Sequence, residues 1–191
     1  TFPDDRYATF GYMWECPSLI RVPDVDGVRM HDVLVFCPQG IEPGVEGFEN
    51  IFACGYVVGR LDGTDLRGTG DFLELDRGFE FYAPQTFARE PDAAGPVLLA
   101  AWLGNASEDH QPSVERGWVH TLSVARELMV RDGRLLQRPV VDLGTARDAT
   151  PTVPGELADS EVTLDTLGGA GSFALALTLD LTAADGWGLR I

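Results

Sequence analysis

The run Met13-Trp-Glu-Cys-Pro-Ser-Leu-Ile20 holds the strongest candidate for chemistry, the carboxyl of Glu15. It lies between Trp14 and Cys16, with Pro17 directly after. Apolar flanks disfavour the charged form of a carboxyl, which lets an acid keep its proton near neutrality and donate it to a leaving group. The plainer alternative is an exposed Glu on a strand edge. Other reactive side chains form no constellation. His31, His110 and His120 are scattered without metal-ligand spacing, so no metal is expected. Cys16, Cys37 and Cys54 lack a C-x-x-C spacing, and each sits in an apolar segment where a thiol behaves as a small buried hydrophobe. Three free thiols are expected, and with them a cytoplasmic setting, secretion remaining open. No G-x-S-x-G, phosphate-binding loop or dinucleotide fingerprint occurs, so no cofactor is expected.

Charge narrows the partners. The 191 residues carry a formal charge of −16, and all 14 basic residues are Arg. Phosphate backbones need clustered cations, so no nucleic-acid partner is expected. The acidity suits a neutral substrate such as a sugar. No apolar run approaches the roughly 18 residues of a membrane span, and no membrane partner is expected. The chain opens Thr1-Phe2-Pro3-Asp4-Asp5 without an initiator Met, and is expected to be a piece of a longer protein.

The elements that must hold Glu15 are strands. Apolar runs bounded by Gly, Pro and Asp recur at 33–37, 51–58, 97–103 and 118–130. Their length and punctuation suit strands, and no long amphipathic helix interrupts them. The fold class is all-β. A weak repeat refines it: residues 14–20 correspond to 81–87, with Pro17 and Pro84 in register. Each is followed by an apolar strand (from Val33, and from Val97), then a longer one (from Ile51, and from Trp118). A short fourth strand closes each set, at 72–75 and at 135–141. Two four-stranded units in tandem, about 7–78 and 79–143, read as propeller blades or as two meanders of a sandwich. Residues 144–160 read as a linker. The alternation over 172–181 marks a strand within 161–191, a segment too short to stand as a β domain alone.

Several motifs in fixed order resemble those of glycoside hydrolase family 32, the β-fructofuranosidases. They are Gly11-Tyr-Met-Trp-Glu-Cys-Pro17, Asp32-Val-Leu-Val-Phe-Cys-Pro-Gln-Gly40, Leu75-Asp-Arg-Gly-Phe79, Phe81-Tyr-Ala-Pro-Gln-Thr-Phe87 and Gly117-Trp118. Ala125-Arg-Glu-Leu128 and Asp132-Gly-Arg-Leu-Leu-Gln-Arg-Pro-Val140 follow, so the resemblance covers about residues 7–143. It implies the last two blades of a five-bladed β-propeller over 1–143, then the first strands of a β-sandwich over 161–191. It gives Glu15 the role of general acid/base and makes Glu80, Tyr82 and Trp102 substrate-binding residues. The family usually has Asp where Glu80 stands.

The resemblance also implies a substrate class: sucrose, sucrose phosphate or a fructo-oligosaccharide, cleaved at a terminal β-fructofuranosyl bond with retention. Retaining hydrolysis needs two carboxyl groups about 5–5.5 Å apart. The family's Asn-Asp-Pro motif, which bears the nucleophile, and its Arg-Asp-Pro motif are both absent from these residues. The chain by itself is therefore expected to be inactive, and its exposed blade edges are expected to favour self-association. Fructosyl transfer and a non-catalytic carbohydrate-binding module are the alternatives.

Overall fold

The computed structural model describes residues 7, 10–41, 52–67, 70–78, 80–88, 95–108, 110–111, 113–141, 160–161, 186 and 188. The chain divides into two compact units, Thr1–Val141 and Asp142–Ile191. Apart from residue 160, the expected linker lies outside the described residues, as does the expected strand at 172–181. Among the described residues there are ten strands, a single 3-10 turn at Val114–Arg116 and no α-helix. None of these elements is a helix long and apolar enough to cross a membrane.

The strands are β1 (Met13–Pro23), β2 (Met30–Gln39), β3 (Gly55–Asp62), β4 (Asp65–Arg67), β5 (Leu73–Glu74), β6 (Tyr82–Thr86), β7 (Val97–Leu103), β8 (Thr121–Leu122), β9 (Arg126–Arg131) and β10 (Arg134–Pro139). They form two antiparallel sheets. One has the order β1-β2-β3-β4 with β5 also on β3, and the other β10-β9-β7-β6 with β8 also on β7. Each sheet thus has five strands where four were expected. The extra member of the first is β4, folded back on β3 across Gly63-Thr64, where Gly63 has φ +62. Gly at the first position of a two-residue turn is a hairpin signal, because Gly takes a positive φ without steric cost.

The run expected as one strand from Trp118 to Val130 is divided. His120 has φ +62, and pairing with β7 is taken up first by β8 and then by β9. Between them Ser123 stays anchored to β7, its amide donating to the Ala101 carbonyl (2.8 Å) and its Oγ accepting from the Ala101 amide (3.1 Å). The strand expected at 51–58 starts at Gly55, and the one expected at 72–75 shortens to Leu73–Glu74.

Alternation along β2 explains how the sheets meet. Val33, Val35 and Cys37 line one face and join a buried cluster with Val97, Leu99 and Ala101 of β7 and with Leu128 and Val130 of β9. On the opposite face, Phe36 and Val57 of β3 pack with Tyr7, Leu66 and Phe72. Trp14 stacks on Phe36 at 4.3 Å, and its indole N–H donates to the Phe10 carbonyl at 2.7 Å. Phe36 is fully buried, so truncating it to Ala would cost about 3–5 kcal/mol.

The loop between β1 and β2 turns on Asp24. Its carboxylate accepts the Val28 amide (2.9 Å) and pairs with Arg29 Nε (3.2 Å). Burial pushes this carboxyl up, but the hydrogen bonds of Arg29 and Val28 outweigh it and hold it below the ordinary 3.8. A carboxyl depressed in the folded state stabilises it fully above its unfolded value and ceases to do so as pH falls through the folded one. Asp24→Asn should therefore lower the unfolding temperature at neutral pH. In thermal melts against pH, the gap from the parent protein should close below about 3.8.

Candidate active site

Both sheets carry the same defect in their first strand. In β1, Glu15 pairs with Cys37 and Ser18 with Val35, so Cys16 and Pro17 together oppose Phe36 alone. In β6, Tyr82 pairs with Trp102 and Gln85 with Ala100, so Ala83 and Pro84 oppose Ala101 alone. The residue before each proline has positive φ, 48° at Cys16 and 49° at Ala83. A bulge leaves one residue out of the ladder, which is where a proline, lacking an N–H, is tolerated. Left-handed backbone at Cys and Ala is a strained choice, of the kind found where a side chain must be aimed. Here the two bulges aim Glu15 and Tyr82 at each other.

Tyr82 Oη donates to Glu15 Oε2 at 2.7 Å. Gln39, on the same face of β2 as Cys37, brings its amide nitrogen to the same oxygen at 3.1 Å and also donates to Tyr82 Oη. Burial, then the hydrogen bond to Glu15, pushes the Tyr82 phenol well above its ordinary value of 10, so Tyr82 stays protonated and remains a donor. The ring of Phe52 meets that of Tyr82 edge-on at 5.8 Å. Glu15 is half-buried, and its surroundings are more polar than its neighbours in the sequence suggest. Trp14 turns into the aromatic cluster and Cys16 packs on the inter-sheet core, leaving the carboxyl to a phenol and an amide.

The remaining candidates are dispersed. Trp102 pairs with Tyr82 in the ladder, yet alternation along β7 puts it on the face opposite Leu99 and Ala101. Its indole is half-buried and meets the His120 imidazole edge-on at 4.9 Å. Gly104 lies under that indole, where an added Cβ would come within 2.4 Å of it. Glu80 accepts a hydrogen bond from Gln111 Nε2 at 3.2 Å and makes none to Glu15, Tyr82 or Trp102. Behind β6, Arg126 lies 4.2 Å from the Phe81 ring centroid and pairs with Asp76 at 2.7 Å. Among the described residues no group of three His, Cys, Asp or Glu side chains could hold a metal ion.

Gln39, His120 and Gly104 were not singled out from the sequence. Gln39 had a legible signal: with Val33, Val35 and Cys37 it continues a period of two that places it on the face of the inter-sheet core. His120 and Gly104 had none, since their roles depend on where Trp102 lies.

Comparison with known proteins gives this arrangement its context. The Glycosyl hydrolases family 32 N-terminal domain matches residues 2–139. The chain belongs to glycoside hydrolase family 32. It is 42% identical over 147 residues to the sucrose-6-phosphate hydrolase of Staphylococcus xylosus, covering 76% of this chain and 28% of that protein. With the Klebsiella pneumoniae sucrose-6-phosphate hydrolase it shares 37% over 189 residues, covering 91% of this chain and 38% of the relative. Among solved structures, the Bombyx mori β-fructofuranosidase of this family, a mutant in complex with sucrose, superposes with a TM-score of 0.57 at 34% identity, covering 69% of this chain and 26% of that one. The Lactobacillus gasseri sucrose-6-phosphate hydrolase does so with a TM-score of 0.53 at 31% identity, covering 68% and 25%. The chain thus spans between a quarter and two fifths of the length of these relatives.

Two outcomes follow from the packing. Gly104→Ala should displace the Trp102 indole and destabilise the fold by about 1–3 kcal/mol, as overpacking does. In a Trp102→Ala background the same change should be close to neutral, a non-additivity that denaturant titration of the four species would read. Cys16, Cys37 and Cys54 are free thiols. Burial, then the proximity of Cys37 and Glu15, pushes the Cys16 thiol up, while the adjoining Cys37 thiol and burial push Cys54 up. Thiol titration of unreduced protein should count three groups per chain after denaturation and proceed slowly before it.

Proposed function

We propose that this chain carries the acid/base half of a β-fructofuranosidase centre, with Glu15 as the group that protonates the departing oxygen. The carrying observation is the asymmetry of its carboxyl. Oε2 is engaged by Tyr82 and Gln39, while Oε1 accepts no hydrogen bond among the described residues. A carboxyl held by one oxygen is oriented, and its other oxygen is left to hold a proton and deliver it within hydrogen-bond reach. In the reverse step the same oxygen would take a proton from the incoming water.

The substrate class is sucrose, its phosphate or a short fructan. It is supported by family membership, by relatives named sucrose-6-phosphate hydrolases and by a neighbour solved with sucrose. Trp102, stacked edge-on with His120 and half-buried, supplies an aromatic surface suited to a sugar ring. Glu80, held by Gln111, would contact a sugar hydroxyl. In this reading the two sheets are the last two blades of a five-bladed propeller, with residues 161–191 opening a sandwich. Retention requires a nucleophilic carboxylate about 5–5.5 Å from Glu15. No Asn-Asp-Pro or Arg-Asp-Pro occurs in these residues, so that group belongs to chain beyond them. Three free thiols fit a reducing, cytoplasmic setting.

Glu15→Gln in the complete protein carrying this chain tests the role. Turnover of sucrose should fall by at least about 10²-fold, because an alkoxide leaves poorly without a proton. A nitrophenyl β-fructofuranoside, whose leaving group departs unprotonated, should keep a fast first step, and azide should accelerate the slow second one. Equal impairment on both substrates with no response to azide would return Glu15 to a sugar-binding or structural role.

A further inference from the structure

The acid/base reading leaves open what fixes the proton on one oxygen of Glu15. Three polar groups meet at this point: the Glu15 carboxyl, the Tyr82 phenol and the Gln39 amide. Gln39 Nε2 contacts both Glu15 Oε2 and Tyr82 Oη. A carboxylate only accepts, so the face of the amide turned to it must be the nitrogen. The NH₂ group has two protons, one for each of these acceptors. By donating to Tyr82 Oη, Gln39 occupies a lone pair of the phenol oxygen and leaves the phenol's single proton to run to Glu15 Oε2 at 2.7 Å. Every donor in the cluster then has one direction.

We infer that Gln39 is the positioning residue of this site: from the neighbouring strand it orients the Tyr82 hydroxyl and, with it, reserves Oε2 of Glu15 as an acceptor, so that the transferable proton resides on Oε1. The backbone supports this. Gln39 is the last residue of β2, paired with Met13, and its carbonyl accepts the Tyr12 amide at 2.9 Å. Gly40 follows with φ +83, and a Cβ there would come within 2.7 Å of the Tyr12 ring. Gly11, at φ +74, would bring a Cβ to 2.5 Å from the Gln39 carbonyl oxygen. Both glycines permit a close approach that pins the Gln39 backbone. Its side chain therefore reaches the carboxyl from a fixed base. The geometry is short-range and would be lost with one methylene, so Asn could not replace Gln here.

This inference rests on the acid/base reading of Glu15, and the test separates the two. In the complete protein, kcat and KM are measured for sucrose and for a nitrophenyl β-fructofuranoside in Glu15→Gln, Gln39→Met and Tyr82→Phe, and in the Gln39→Met/Tyr82→Phe double variant. Gln39→Met keeps side-chain length and removes the donors. It should lower kcat on sucrose on the order of tenfold, the scale of one lost hydrogen bond to a charged group. KM for sucrose and kcat/KM on the nitrophenyl substrate, which reports the first step alone, should change by about twofold or less, because binding and unassisted departure do not use the proton. The double variant should lose less than the product of the single losses, since both act through one carboxyl. Equal losses of kcat/KM on both substrates, or none on sucrose, would overturn the role of Gln39 while Glu15→Gln still shows its dependence on the leaving group. If Glu15→Gln shows no such dependence, the acid/base reading fails and this inference with it. Should Gln39→Met not fold, Gln39→Asn, too short to reach both acceptors, is expected to give the same pattern.

Discussion

A single hydrogen bond, from Tyr82 Oη to Glu15 Oε2 at 2.7 Å, ties the first strand of one sheet to the first strand of the other. Its formation depends on two matched departures from regular strand geometry. Were β1 and β6 unbroken, the period of two would continue through Cys16-Pro17 and Ala83-Pro84 and every later side chain would change face. The extra residue at each bulge lets the outer half of the strand keep its apolar register, with Ile20 and Val22 in the core. The inner half is freed to present a polar side chain. Proline suits the bulge, having no N–H to leave unpaired, and the positive φ before it is the strain that the surrounding ladder holds in place.

The hydrophobic core and the polar site form one continuous column. Along β2 the inward face runs Val33, Val35, Cys37, Gln39, passing from aliphatic to thiol to amide. Along β1 the matching order is Val22, Ile20 and then Glu15. The thiols of Cys16, Cys37 and Cys54 occupy the transition, small enough to pack and weakly polar enough to sit beneath a carboxyl. Burial at this level has a cost for polar groups that is met only if each finds a partner, and the Tyr82–Gln39–Glu15 cluster supplies them mutually. The same low-dielectric floor keeps the phenol protonated and the donor direction fixed. Packing and chemistry are therefore set by the same strands.

Much of this was legible in the residues. Apolar runs between Gly, Pro and Asp gave the strand class, and the alignment of Pro17 with Pro84 gave the repeat that proved to be a shared bulge. That alignment also paired Glu15 with Tyr82, the two residues the structure joins. Other features were hidden for physical reasons. The hairpin at Gly63-Thr64 leads into a strand of three residues, too short to show a period. The run 118–130 divides between Leu122 and Arg126, where Ser123 holds to Ala101 through its amide and hydroxyl, a pairing that no periodicity in the run announces. Glu80 drew attention by its place beside Phe81, yet its carboxylate answers to Gln111, a partner 31 positions along the chain that no local pattern reveals. The apolar neighbours of Glu15 misdescribed its surroundings, since neighbours along a strand point away from one another.

In the proposed centre the open oxygen of Glu15 faces the bond to be broken. The most direct measurement is a crystal structure of the complete protein carrying this chain, with an uncleaved fructoside captured in its centre. The glycosidic oxygen should lie about 2.6–3.2 Å from Glu15 Oε1, with Oε2 still held by Tyr82 and Gln39. A glycosidic oxygen addressed by another acid, with Glu15 touching only ring hydroxyls, would contradict it.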